Sequence, residues 1–333
     1  MAESAKPKPD FRLMDLNYWC RRQMISHWDI KKQIAFSHCS KESFKLVKSL
    51  NQKPTITITL ENRNWITVDV GDVRSCLIKL VDHEIAIPGY ATPINFGLNA
   101  RDAFVHLCEM YQNTKLVVRL NPYSITPLDA VRAVIDGFPI EEIIYSDGTN
   151  REAERDYIMD MLEFLLPSKL LLISRNPYDT YQEFRDQVLQ FEYETIILQS
   201  PAQINLLDLK AINIEINTKV PSFQRRLLLT TQQFQGFIGK WIKSEIYPKF
   251  TKIVVHAGLR DIENYYQENI LEGLLYQQLP NDWTCESFAG GPFLREHMTD
   301  NGIYEVQREA DGQKAAICFQ SFRGSVLWKF FVV

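Results

Sequence analysis

The sequence predicts an α/β protein in which a small N-terminal helical module is followed by a leucine-rich-repeat-like α/β arc with antiparallel strands at its ends. Apolar residues recur at helical spacing over residues 16–50, and they alternate strictly over 55–60 and 66–70. From residue 99 a helix-then-strand pattern recurs about every 27 residues, within the range of leucine-rich repeats but without their Leu/Asn signature. Three parts follow from these patterns: residues 1–50, 51–98 and 99–333.

The pattern of the first part, residues 1–50, predicts two or three short helices. Cys20, Met24 and Trp28 recur at i, i+4 and i+8 with Ile25 beside them. A second stripe is formed by Phe44, Val47 and Leu50, in a helix whose start Ser40 can cap. For residues 51–98 the sequence predicts an antiparallel strand pair, followed by a loop over 85–98, where Pro and Gly are frequent.

The third part is built from repeated helix starts and short apolar strands. Helix-start residues are Asn99, Thr126, Asn150, Thr180, Asn205, Thr230 and Asp261. The predicted strands are 116–120, 140–146, 169–173, 195–199, 212–216 and 252–256. An ordinary doubly wound α/β domain is the alternative architecture. At the end of the chain, Asp311-Gly312 marks a hairpin between two of three predicted antiparallel strands that could cover the open end of the array.

Strand alternation divides the side chains of the repeat part between a helix-covered face and an open face. The predicted open-face residues, and therefore the candidate substrate-binding residues, are Arg119, Tyr145, Gln199, Glu215 and His256. Solvent-facing strand residues without a role are the competing interpretation for each of them.

Charge is distributed unevenly along the chain. The net charge is −4, but residues 1–50 hold 10 Lys and Arg against 5 Asp and Glu, and the remainder holds 27 against 36, which gives +5 and −9. The basic segment of residues 1–50 is expected to bind an acidic partner surface. Helix faces exposed to solvent explain the positive charge equally well. The acidic total argues against nucleic acid as the partner.

Several classes of function are not favoured by the sequence. It has no P-loop, Rossmann glycine run, HExxH or GxSxG, and its six His and six Cys do not show metal-ligand spacing. No metal, cofactor or catalytic residue is predicted. No secretory segment or membrane span is expected, so we predict reduced thiols and a cytoplasmic or nuclear location. One alternative hypothesis is an enzyme built on an α/β scaffold, and the only support for it is the analogy with other α/β folds.

Two stretches resemble a known family. Residues Phe11–Trp19, His27–Lys41 and Val47–Leu50 resemble an F-box of the large nematode F-box families. Leu206–Leu209, Phe237–Ile242 and Arg308 with Asp311-Gly312 and Ala316-Ile317 resemble the type 2 F-box-associated domain that follows it in those families.

The resemblance implies a non-catalytic substrate receptor of an SCF-type ubiquitin ligase. Its F-box would bind a Skp-type adaptor, and through it a cullin, while the associated domain captures a protein substrate, with no nucleic acid or membrane partner. The candidate adaptor-binding residues are Leu13, Leu16, Trp19, Met24, Ile25, Trp28 and Ile34. A binding or sequestering protein without a ligase role is the alternative, since Asn17 replaces the usual proline and Lys31 and Lys32 replace apolar residues.

Overall fold

The structure is a computed structural model, and it describes only part of the chain. The described residues are 13–62, 65–79, 85–86, 98–112, 114–120, 127–145, 151–165, 167, 169–174, 178–199, 205–217, 231–246, 249–258, 270–280, 302–322 and 325–333. The chain is mixed α/β and divides into two compact units. Unit 1 comprises Met1–Val117 with Thr126–Phe138, and unit 2 comprises Val118–Ile125 with Pro139–Val333. The predicted boundaries at residues 50 and 98 stay predictions.

The N-terminal part of unit 1 is helical, as its sequence predicts. A 3-10 turn, Leu13–Asp15, precedes α1 (Tyr18–Ser26), α2 (Ile30–Ser37) and α3 (Lys41–Lys48). Each helix begins at a side-chain cap: Asn17, Asp29 and Ser40 accept hydrogen bonds from backbone N–H groups of the first turn. Ser40 forms a full capping box with Ser43, so its predicted role as a cap is confirmed.

The core of these three helices includes part of the two predicted stripes, namely Ile25 beside the first stripe and Val47 of the second. Cys20 and Met24 are exposed, and the buried residue of α1 is Ile25. Ile25 is joined in the core by Ile34 of α2, and by Leu46 and Val47 of α3.

The rest of unit 1 combines antiparallel strands with two further helices. Strands β1 (Ile56–Asn62), β2 (Trp65–Val70), β3 (Val73–Lys79) and β4 (Ile85–Ala86) pair antiparallel in that order. The β1–β2 pair confirms the prediction, whereas β3 was not predicted and β4 replaces part of the predicted loop. Helices α4 (Ala100–Met110) and α5 (Leu128–Ile135) follow, and β5 (Leu116–Leu120) spans the division between the units.

Unit 2 contains the helix–strand repeats and the C-terminal strands. Its elements are β6 (Glu142–Tyr145), α6 (Arg151–Phe164), β7 (Leu170–Ile173), α7 (Tyr181–Phe184), β8 (Tyr193–Gln199), β9 (Ala211–Asn217), α8 (Thr231–Ile242), β10 (Lys252–Gly258), β11 (Gln277–Leu279), β12 (Ile303–Gln307), β13 (Lys314–Phe322) and β14 (Ser325–Val332). Helix α7 continues into a π-helical turn, Arg185–Leu189.

The parallel strands of unit 2 follow the chain order, and the antiparallel strands beyond them run in the reverse order. Strands β6 to β10 are parallel, and each is hydrogen-bonded to the next. Strand β14 then pairs antiparallel with β10, and β13, β12 and β11 continue outward. The C-terminal strands therefore cover the β10 edge, as predicted. A doubly wound sheet reverses its strand order at a switch point, and β6 to β10 show no such reversal. The leucine-rich-repeat-like arc stays a prediction.

One face of this sheet is packed against α8 through aromatic side chains. Phe234 of α8 contacts Trp328 of β14 with ring centroids 4.8 Å apart, and Trp241 contacts Phe330 at 5.1 Å. The register places Trp328 and Phe330 opposite Val255 and Ile253 of β10, so the covered face continues into the parallel strands. All of these side chains are buried, which identifies this face as the core of unit 2.

The predicted helix starts agree with the structure where it describes them, with one exception. Asn99 caps α4, and Thr180 forms a capping box with Glu183 at α7. Asn205 begins only a 3-10 turn, Leu206–Asp208, because β9 starts at Ala211 and leaves no room for a longer helix. The predicted starts Thr126, Asn150, Thr230 and Asp261 lie outside the described residues. Among the described helices, none has the length and apolar character needed to cross a membrane.

Candidate functional site

The N-terminal helices of unit 1 carry an unusual set of exposed apolar side chains. Trp19 is 71% exposed, Tyr18 43%, Met14 38% and Met24 37%. The rings of Tyr18 and Trp19 meet edge to face at 5.5 Å. We call these four residues the docking surface. Its centre is the Tyr18–Trp19 pair, because Met24 points in another direction around α1 at about 3.6 residues per turn. Such large side chains cost free energy when they face water, and aromatic and Met residues are enriched where proteins bind one another.

Asn17 places this surface by starting α1. Its side-chain Oδ1 accepts a hydrogen bond from the backbone N–H of Cys20 at 2.9 Å. A proline at this position would preset the backbone angle instead, so the asparagine begins the helix by another physical route. The departure from the F-box pattern at Asn17 therefore leaves the helix start intact.

The other predicted adaptor-binding residues divide into two groups. Leu13, Leu16 and Trp28 are half-buried, and Trp28 packs edge to face against Phe36 at 5.3 Å. Ile25 and Ile34 are 0% and 1% exposed. Their assignment as contact residues is corrected here, because a small helical module must bury its few large apolar side chains to form a core.

The outer face of α3 is basic. Lys41, Lys45 and Lys48 lie at i, i+4 and i+7, opposite the buried side chains of Ser43, Leu46 and Val47. On α2, the exposed Lys32 forms an ion pair with Asp29 at 3.2 Å, and Lys31 is half-buried. The positive charges of α2 and α3 therefore lie largely on the outer surfaces of these helices.

A Ser–His contact in unit 1 is structural in its geometry. Ser37 Oγ lies 2.8 Å from His106 Nε2 and 2.7 Å from the carbonyl oxygen of Ile34. A hydroxyl has one proton, so if it donates to the carbonyl of its own helix, it accepts from the imidazole N–H. A nucleophilic serine must instead donate its proton to the histidine and must be reachable by a substrate, but Ser37 is only 2% exposed. The contact therefore gives no support for a catalytic role of Ser37.

Unit 2 offers a second candidate site, on the sheet face opposite α8. The register places Gln199 of β8 beside Asn217 of β9, and Asn217 beside His256 of β10. Ser174 follows β7 and donates its hydroxyl to Gln199 Oε1 at 3.0 Å. We call Ser174, Gln199, Asn217 and His256 the polar row. It crosses four neighbouring parallel strands near their carboxyl ends.

Glu215 lies next to the polar row on the same face. Its Oε1 is 3.5 Å from His256 Nε2, and the two side chains remain 41% and 30% exposed. Gln199 is also half-buried, and Arg119 of β5 is exposed. These four predicted residues therefore present side chains that solvent can reach.

Tyr145, the fifth residue predicted for this face, lies on the other face of the sheet, so that prediction is wrong. It is 4% exposed and pairs in register with Ile173 of β7, which is buried with Leu198 and Ile216 on the opposite face. Ile143 and Ile144 precede it, so the apolar run does not reveal which residues face the helices.

Two members of the polar row were missed from the sequence. Ser174 follows the apolar run of β7, and Asn217 ends the alternation of β9. This position at the end of a strand is the signal that could have identified them. In the part of the chain that the structure describes, no cluster of three or more His, Cys, Asp or Glu side chains could hold a metal ion.

The C-terminal residues of the resemblance form a hydrogen-bonded turn. The guanidinium of Arg308 bonds to the carboxylate of Asp311 and to Gln313, and lies over the Trp241 ring at 5.4 Å. The hydrogen bond from Arg308 is the main cause that lowers the pKa of Asp311 to about 2. Gly312 follows at φ +72°, where glycine is favoured. This cluster joins the hairpin to α8.

Comparison with known proteins gives no relative for this chain. No protein-family model, curated protein or solved structure matches it.

Proposed function

We propose that the chain is a protein-binding adaptor, and specifically the substrate-recognition subunit of an SCF-type ubiquitin ligase. The observation that carries the proposal is the docking surface, above all Trp19 with 71% of its side chain in water. In this proposal the docking surface and the basic face of α3 bind a Skp-type adaptor, and unit 2 captures the protein to be modified.

The docking surface suits a protein partner for energetic reasons. Binding energy in protein interfaces is concentrated in a few residues, and Trp and Tyr are the commonest of them. Lys41, Lys45 and Lys48 on α3 would accelerate association with an acidic partner and make it sensitive to salt. The sequence resemblance of residues 11–50 to an F-box supports a Skp-type adaptor as that partner.

Unit 2 supports the role of receptor. Its polar row and Glu215 present hydrogen-bonding groups on consecutive strands, and these side chains are partly exposed. The resemblance of Leu206–Leu209, Phe237–Ile242 and the Arg308 turn to the type 2 F-box-associated domain supports substrate capture by this unit.

A binding protein without a ligase role is the second candidate. Lys32 is exposed and held by Asp29, so α2 presents an ion pair where the F-box pattern carries apolar residues. Such a protein would use unit 2 to hold its partner without recruiting a cullin.

Affinity purification of the full chain separates the two candidates. The ligase proposal predicts that a Skp-type adaptor and a cullin co-purify with the chain, and that captured proteins accumulate when the proteasome is inhibited. Recovery of partners without adaptor or cullin, at levels unaffected by proteasome inhibition, would instead establish a sequestering protein.

A further inference from the structure

The face of unit 2 that carries the polar row also carries an apolar row, one step down the strands. Leu172, Ile197 and Val254 occupy β7, β8 and β10, and the register aligns them with Glu215 of β9. Leu172 and Ile197 are half-buried, and Val254 is 9% exposed. Two parallel rows, one apolar and one hydrogen-bonding, therefore cross the same strands.

The antiparallel part of this face differs. Its side chains Ile303, Ala316, Cys318 and Phe331 form a buried cluster, and Lys329, which pairs with Val254, is 8% exposed. Next to the two rows, β14 and β13 are therefore buried on this face, whereas Glu305 and Lys314 further out on the same face are accessible again.

We propose that the two rows bind an extended segment of a protein partner that carries a Lys or Arg side chain beside apolar ones. The polar row hydrogen-bonds the main chain of the segment, the apolar row receives its apolar side chains, and Glu215 receives the cation. This rests on the proposed function, because it names the chemistry of the segment that unit 2 would capture.

The dimensions fit such a segment. Neighbouring strands are about 4.8 Å apart, so four strands span about 14 Å across the sheet, and an extended chain of about 4 or 5 residues covers that distance. The side-chain amides of Gln199 and Asn217 contain both donor and acceptor groups, the kinds of group that pair with the N–H and C=O of a peptide. Since Ser174 already donates to Gln199 Oε1, the Gln199 amide nitrogen is the donor directed to a ligand.

The charges favour a basic segment. Glu215 is the carboxylate within the two rows, and its exposed fraction of 41% leaves it open to a second cation besides His256. Residues 51–333 together carry −9, which repels acidic segments. Lys252 lies on the same face but two residues further toward the start of β10, outside both rows.

The test is selection of peptides from a random displayed library by the full chain, followed by affinity measurement with the selected peptides. We expect enrichment of sequences with Lys or Arg next to an apolar residue. Glu215→Gln should weaken their binding about tenfold, and Glu215→Lys should abolish it and favour acidic peptides instead. Gln199→Ala and Asn217→Ala should weaken binding of the same peptides irrespective of their charge.

The matched control is Glu194→Gln, which removes an exposed carboxylate from β8 outside the two rows and should change affinity less than about twofold. Failure to select any peptide, absence of Lys or Arg enrichment, or equal binding by Glu215→Lys at an unchanged melting temperature would overturn the inference. Co-purification of adaptor and cullin with the same variants reports on the proposed function separately, since none of these residues lies in unit 1.

Discussion

The imidazole rings of His38 and His106 stack with centroids 4.0 Å apart and an angle of 19° between their planes. His38 ends α2 and His106 lies in α4, so the contact joins the N-terminal helices to the later part of unit 1. Phe44 of α3 covers His106 at 4.6 Å. Burial, with a smaller contribution from His106, lowers the pKa of His38 to about 4, and burial also lowers the pKa of His106, although Glu109 opposes that shift.

Unit 1 should therefore lose stability in mild acid. A histidine whose pKa is lowered by folding binds its proton more readily in the unfolded chain. Its contribution is complete above the unfolded pKa of 6.5 and is lost as pH falls toward 4. Urea denaturation of the full chain between pH 7.5 and 4.5 is expected to show a falling midpoint.

His38→Gln should make that pH dependence shallower, because one of the two buried imidazoles no longer takes up a proton. His27→Gln is the control, since His27 is exposed at the end of α1. An equal slope in wild type and His38→Gln would contradict this account of the pair.

A second prediction concerns Arg101 of α4, whose Nη1 donates to the carbonyl oxygens of Ala133, Val134 and Asp136 at 3.4, 3.4 and 3.0 Å. These carbonyls belong to the end of α5, where they have no partner within the helix and where positive charge is favourable. Arg101→Ala is expected to lower the free energy of unfolding by about 1–2 kcal/mol in thermal or urea denaturation. Lys45→Ala on the exposed face of α3 is the control, and an equal effect of the two changes would contradict the capping role.

If unit 2 is built from independent helix–strand repeats, the effect of an internal deletion should depend on where it begins. Removing residues 180–204 takes out α7 and β8 together and allows β7 to pair with β9. Removing the equally long segment 193–217 takes out β8 and β9 and leaves α7 without the strand that follows it. The first deletion should leave a soluble chain with cooperative unfolding, and the second should aggregate. Equal behaviour in circular dichroism and gel filtration would favour a single closed sheet over independent repeats.

The fold was largely predictable from local patterns. Period-2 alternation identified β1 and β2, and the starts of α3, α4 and α7 followed from Ser40, Asn99 and Thr180, whose side chains cap helices by contacts within one turn. Such contacts depend on neighbouring residues alone, so the sequence contains them.

The face of a strand and the core of a small helix were harder to predict. Tyr145 was assigned to the wrong face because β6 is apolar at successive positions, and only pairing with Ile173 decides which side it occupies. Ile25 was assigned to the partner rather than to the core because α1 is amphipathic only weakly, with exposed Cys20 and Met24 on its other side. Both assignments depend on residues distant in sequence.

If the docking surface binds a Skp-type adaptor as proposed, Trp19 should contribute a large part of the binding energy. Its high exposure means that Trp19→Ala should change folding stability by less than about 0.5 kcal/mol, whereas loss of an interface Trp typically costs 2 kcal/mol or more of binding. Titration calorimetry of the full chain with purified adaptor should therefore show an affinity at least about 30-fold weaker for Trp19→Ala, and an unchanged affinity for Tyr276→Ala, an exposed aromatic control in unit 2. Wild-type affinity in Trp19→Ala, or no binding of the adaptor by the wild-type chain, would contradict the claim.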